Sequence, residues 1–166
     1  MSTVALTAGI SLSGSYAKTP TTFARTTSAI SKALSAAFTT GTGDSQSDTF
    51  YEGTGSVGTS GSNLDLAGSL TDQFGTTLTF AEVTVLYVKN TSTTGNLIVG
   101  GAASNAFAAM FGAVTHTLTL PPGAGVFLIC STDPAWAVTA STADQLKLAS
   151  SAGTVNYEIA ILGRSA

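Results

Sequence analysis

Charge is scarce in this sequence: Asp, Glu, Lys and Arg make up 9% of its 166 residues, against about a quarter of an average soluble domain. Mixed surface charge ordinarily keeps identical molecules apart. A surface built instead from 28 Thr and 20 Ser implies that much of it meets other protein. The basic residues, Lys18, Arg25, Lys32, Lys89, Lys147 and Arg164, are scattered, and the net charge is -3. That leaves no basic stripe to neutralise phosphates, so direct nucleic-acid binding is not expected. The single cysteine, Cys130, permits no internal disulfide and reads, within VFLIC, as a small buried hydrophobe. The single histidine, His116, permits neither a multi-histidine metal site nor two-histidine chemistry within one subunit. On VTHTLTL it shares the apolar face and reads as a satisfied core or interface residue.

Long apolar runs are missing too. No stretch reaches the eighteen or so residues of a membrane span, and MSTVALTAGISLSGSY lacks the basic start and continuous apolar segment of a secretion signal. The expectation is a soluble protein made in a cytoplasm, with no membrane partner. Catalytic signatures are absent as well: there is no GxSxG elbow, and the glycine pair in VGGAASNAFAAMFGAV opens neither GxGxxG nor GxxxxGK[ST]. No enzyme activity, metal or cofactor is therefore expected.

What is present is a pattern of strands, with 43% hydrophobic residues to form a core. EVTVLYVKN carries apolar groups on both faces and predicts a central strand. NLIVGG follows, then VTHTLTL, whose Val114, His116, Leu118 and Leu120 alternate with threonines at period two. LPPGAG stops that strand and reverses the chain. GVFLICS, AWAVTA, DQLKLAS and TVNYEIAILG come next at short intervals, the last with Val155, Tyr157, Ile159 and Ile161 on one side. Short strands at this spacing predict an all-β fold, an antiparallel β-sandwich or jelly roll.

The first part is ambiguous. VALTAGISLSGSY reads as an alternating strand, whereas Ala29, Ile30, Ala33, Leu34, Ala37 and Phe38 recur at helical spacing, with Thr26, Thr27 or Ser28 as a cap. A short helix and an extended arm both fit. The resulting division is an N-terminal arm or short helical segment over 1–40, a Gly/Ser/Thr-rich connector over 41–63, and a β-sandwich domain over 64–166.

The connector, GTGDSQSDTFYEGTGSVGTSGSN, holds Asp44, Asp48 and Glu52. A calcium loop needs glycine where Thr49 stands and glutamate where Gly55 stands, so a flexible spacer is the reading preferred. Asp65, Asp72 and Glu82 have no spacing that fixes an acid–base pair, and a turn role suits Asp72 in SLTDQFG. Phe107, Met110 and Phe111 in NAFAAMFG either plug the end of a sandwich or contact a neighbour. With Phe23, Ile30, Leu34 and Phe38 they are the candidate subunit-interface residues. Tyr51 and Trp136 are candidate sugar-stacking platforms, although a tryptophan in an apolar strand more often packs.

The run LDLAGSLTDQFGTTLTFAEVTVLYVKNTSTTGNLIVGG, followed by LPPGAGVFLICSTDPAWAVTASTADQLKLAS and YEIAILGRS, resembles a group of small tailed-bacteriophage virion proteins. The matching elements are Asp65 and Leu66, Phe74 to Thr76, Lys89 and Asn90, Pro122 and Gly123, Trp136 to Val138 with Ala137 between them, and Asp144 to Leu146. The resemblance covers roughly the last hundred residues and no catalytic motif. It implies a non-enzymatic virion protein, a decoration or cement protein of the head and a homotrimer, whose partners are the major capsid protein or other virion proteins. The competing reading is a carbohydrate-binding sandwich of a tail spike or adhesin, using Tyr51 or Trp136.

Overall fold

The computed structural model describes residues 4–18 and 26–165. The strands are β1 (Ala5–Lys18), β2 (Thr26–Thr39), β3 (Thr49–Val57), β4 (Ser62–Asp65), β5 (Glu82–Asn90), β6 (Leu97–Gly100), β7 (Thr117–Leu120), β8 (Gly125–Ile129), β9 (Trp136–Ala137), β10 (Gln145–Ser150) and β11 (Val155–Arg164). Among the described residues there is no helix, and every strand pair is antiparallel. The chain is a β-sandwich with a two-stranded ribbon attached.

One sheet of the sandwich runs β3-β11-β5-β8, with β9 also on β5, and the other runs β4-β10-β6-β7. The pairing is nested: β3 with β11, β4 with β10, β5 with β8 and β6 with β7. Successive pairs alternate between the two sheets, as when one long hairpin is wound upon itself. Leu86, Val88, Ile159 and Ile161 of one sheet and Leu97, Val99, Leu146 and Leu148 of the other share a single core, and each is almost fully buried. Asn90, also buried, ties the sheets at one end by donating from Nδ2 to the carbonyls of Gly95 and Leu120, at 2.9 and 3.0 Å.

The two-faced apolar pattern of β5 has a definite cause. Leu162 pairs with Val85 but Gly163 pairs with Val83, so Thr84 is the extra residue of a bulge. Beyond it Val85 turns to the outer face of the sheet, where it meets Leu162, Phe50, Phe127 and Ile129. Ala8 and Phe38, at the foot of the β1-β2 ribbon, cover that patch. The ribbon pairs over its whole described length, from Ala5 opposite Thr39 to Lys18 opposite Thr26. At about 3.3 Å per residue it is about 45 Å long.

Two expectations for the first 63 residues are corrected. The helical spacing of 29–38 is strand β2. Half of that spacing was supplied by alanines, which favour no face. The large residues Ile30, Leu34 and Phe38 lie on one face with Lys32 and Ala36, opposite the equally alternating β1. The connector is also mostly structured, for Thr49–Val57 is β3 and the sandwich begins there. Its glycines are packing positions: a Cβ on Gly53 would lie 2.8 Å from the Tyr51 hydroxyl, and one on Gly55 2.8 Å from that of Tyr157. The tyrosine rings occupy the room the glycines leave. A third correction is smaller: β7 starts at Thr117, so Val114 and His116 stand exposed in the approach to it.

Candidate assembly surface

Side chains opposite one another in an antiparallel ribbon share a face. One face of the arm carries Leu6, Ala8, Ile10, Leu12 and Tyr16 from β1, with Phe38, Ala36, Leu34, Lys32 and Ile30 from β2. The other carries only Ala, Gly, Ser and Thr between Thr7–Ser15 and Ser31–Ala37. The apolar face is buried at its foot, where Phe38 is 1% exposed, and open farther out. There Ile10, Leu12, Tyr16 and Leu34 are 56, 65, 66 and 51% exposed, and Ile30 is exposed as well. Contiguous exposed apolar stripes are a feature of interaction surfaces.

Of the interface candidates, Ile30 and Leu34 are thus on the free stripe, Phe38 holds the foot, and Phe23 lies outside the described residues. Phe107 is buried in the main core, with Met110 and Phe111 half-buried against it. These three plug the sandwich. The Phe111 ring closes over Gly100, and its carbonyl accepts from the His116 ring at 2.9 Å. Cys130 is half-exposed just after β8 rather than buried, its sulfur beside Thr132. Tyr51 and Trp136 both lean on the main core from opposite ends of one sheet. Three strand spacings, about 14 Å, separate them, so they do not converge on one sugar. Burial pushes the Tyr51 phenol up.

Two acidic residues of the supposed connector fasten distant segments of the chain. Asp44 accepts from the Asp133 amide at 2.7 Å. Asp48 accepts from the Ser165 amide and hydroxyl at 2.7 and 2.6 Å. Burial alone raises the Asp48 pKa, but the Ser165 hydroxyl and amide and the Thr49 hydroxyl outweigh it and hold the carboxyl below its ordinary value. Asp72 closes a turn by accepting from Phe74 and Thr76, both at 2.8 Å.

Beside them lies a residue that the sequence did not single out. Arg164 is 1% exposed and donates to Glu82 at 2.6 Å, to the carbonyl of Gln46 at 3.1 Å and to that of Thr132 at 3.2 Å. It therefore fastens two loops, at Gln46 and Thr132, to the sheet. Gly163 permits this close packing, since a Cβ there would come within 2.2 Å of the Glu82 carbonyl. On the outer sheet face Tyr87 donates to Glu158, which also meets Lys89 at 3.4 Å. The hydrogen bond to Glu158, then burial, then the charge of Glu158 push the Tyr87 phenol up to about 12. All of these groups tie strands or loops together.

The signal of the stripe in sequence was the regular alternation of Leu6, Ile10, Leu12 and Tyr16. Comparison with family models, with curated proteins and with solved structures returns no match.

Proposed function

We propose that the chain is a non-enzymatic structural protein of a virion, acting as a head decoration or cement protein that holds capsid subunits together, itself a trimer. The observation that carries this reading is the arm: a ribbon about 45 Å long whose apolar face is docked at its foot and unpartnered beyond Ala8 and Ala36. Each large side chain on it contributes roughly 1.5–3 kcal/mol when fully buried elsewhere. Repeated over many copies on one lattice, such contacts multiply into firm attachment.

Two further features support the reading. Numbered one to eight from β3 and without the two-residue β9, the body strands run 1-8-3-6 and 2-7-4-5. That nesting supports a jelly-roll form of the sandwich, an architecture used in viral capsids and also in lectins. The low charge suits a surface that other subunits cover. The partners proposed are the major capsid protein or other virion proteins, and the location is the virion. The sugar-binding alternative has less in its favour, because Tyr51 and Trp136 spend their rings on the core.

Electron microscopy of purified particles labelled with an antibody against this chain tests the proposal. Label spread over the head is the expected result. Label confined to a tail tip would favour host-surface binding, and particles without label would refute both.

A further inference from the structure

The charge of the chain is divided between its two parts. Residues 1–40 contain Lys18, Arg25 and Lys32 and no acid, whereas residues 41–166 contain every Asp and Glu, nine in all, against Lys89, Lys147 and Arg164. The arm is formally +3 and the body -6, which together give the net -3. Beside the arm's foot, the body opens a cleft of about 660 Å³ lined by Phe50, Phe74, Leu78, Asp48 and Asp72. Phe74 stands 90% exposed on the turn that Asp72 closes. Glu52, the next outward-facing residue of β3 after Phe50, is exposed on a groove next to the cleft and accepts from Gln73.

We infer that this cleft receives the apolar face of the arm of a second copy of the chain, with Lys32 of the incoming arm meeting Glu52. The inference rests on the assembly reading above and names its first partner. Continuity is one argument: Ile10 and Leu34 lie on the same face as Ala8 and Phe38, which already dock on an apolar sheet surface. Charge is another, because an arm with only basic groups is attracted to a body with an acidic excess and repelled by other arms.

Lys32 makes the choice sharper. It sits in the middle of the apolar face, opposite Leu12. Covering that face with a wholly apolar partner would strand an ammonium group, which is costly, so the partner must bring a carboxylate among apolar side chains. The cleft does. A chain cannot fill its own cleft in this way, since Leu6 of the arm's foot already lines it. Leu12 and Lys32 are six residues farther out, about 20 Å along an extended ribbon. Arms passed round a ring or exchanged across a dyad both close such contacts.

Light scattering of the full chain over a concentration series, at low salt, tests this. The wild type should associate. K32E and E52K should each move the association midpoint to about tenfold higher concentration or more, while K32E/E52K in one chain should return it to within about threefold of wild type. Thermal unfolding of each variant checks its fold. If one fails to fold, K32Q and E52Q should show a smaller weakening of the same sign. Single variants that associate like wild type, or a double variant no better than the singles, would overturn the inference. A wild type that stays monomeric yet coats phage heads would overturn it too, and leave the virion proposal standing. Monomeric wild type that binds phosphatidylglycerol vesicles through Lys32 would replace the second copy with a membrane surface. A chain that shows the charge-swap rescue but labels no particle would support the inference and refute the virion proposal.

Discussion

The arm and the body of this protein use the same strand pattern under opposite conditions of cover. Leu146 and Leu148 alternate with Gln145, Lys147 and Ala149 and point into a layer closed by two sheets, where neither is exposed. Ile10, Leu12 and Leu34 alternate as regularly and point into solvent. Alternation therefore specifies a face but not what lies against it. An isolated two-stranded ribbon is marginal in water, so the foot held by Phe38 and Ala8 has to anchor the whole arm.

The largest effect should come from the body. Arg164→Ala takes the guanidinium away from Glu82 and from the carbonyls of Gln46 and Thr132, and removal of one partner from a buried ion pair costs about 3–5 kcal/mol. Denaturant unfolding should show that loss. Next, Leu146→Ala should cost about 2–5 kcal/mol, as for other buried leucines, whereas Leu12→Ala should change the stability of the dissociated chain by less than about 0.5 kcal/mol. Equal losses at both positions would break the distinction between covered and uncovered strands.

The third test separates the two halves of the arm. Removing residues up to Phe38 would uncover Phe50, Val85, Phe127 and Leu162, so the cut has to spare the foot. Gly9 pairs with Ser35, and an Asn-Gly turn joining them makes a short hairpin with favourable twist. That variant should unfold cooperatively, within about 1 kcal/mol of the dissociated wild type, and should fail to bind particles. Unfolding without cooperativity would show that the outer ribbon belongs to the core fold.

The smallest effect concerns pH. The Asp48 carboxyl titrates below its ordinary value of 3.8, so its contribution is complete above that value and disappears as pH falls through the lower, folded value. Asp48→Asn should remove this part of the acid dependence of stability and leave the rest of the profile unchanged.

These contrasts also show which parts of the molecule could be read in advance. Strands β5, β6, β8, β10 and β11 were legible because continuous apolar runs or alternating large residues stand between turn-forming segments. Strand β2 was not, because Ala29, Ala33 and Ala37 fit a helix as well as a ribbon, and only the partner β1 decides. Strand β3 was hidden by Gly53 and Gly55, which look like spacer residues until the rings of Tyr51 and Tyr157 are seen beside them. Arg164 was hidden by the bulge at Thr84, a shift of one residue that no period-two pattern reveals. At the candidate surface, Ile10, Leu12, Ile30 and Leu34 stood out as apolar positions in a polar segment. Their separation from Phe38, and the exclusion of Phe107 from any surface, required the fold.

Amide hydrogen exchange across a protein concentration series bears most directly on the open stripe. Protection of Ile10–Leu12 and of Ile30–Leu34 should be weak in dilute solution and rise with concentration as second copies cover the arm, while protection of Leu146–Leu148 in the body stays constant. Arm protection that is the same at every concentration would contradict the claim that another copy of the chain completes this surface.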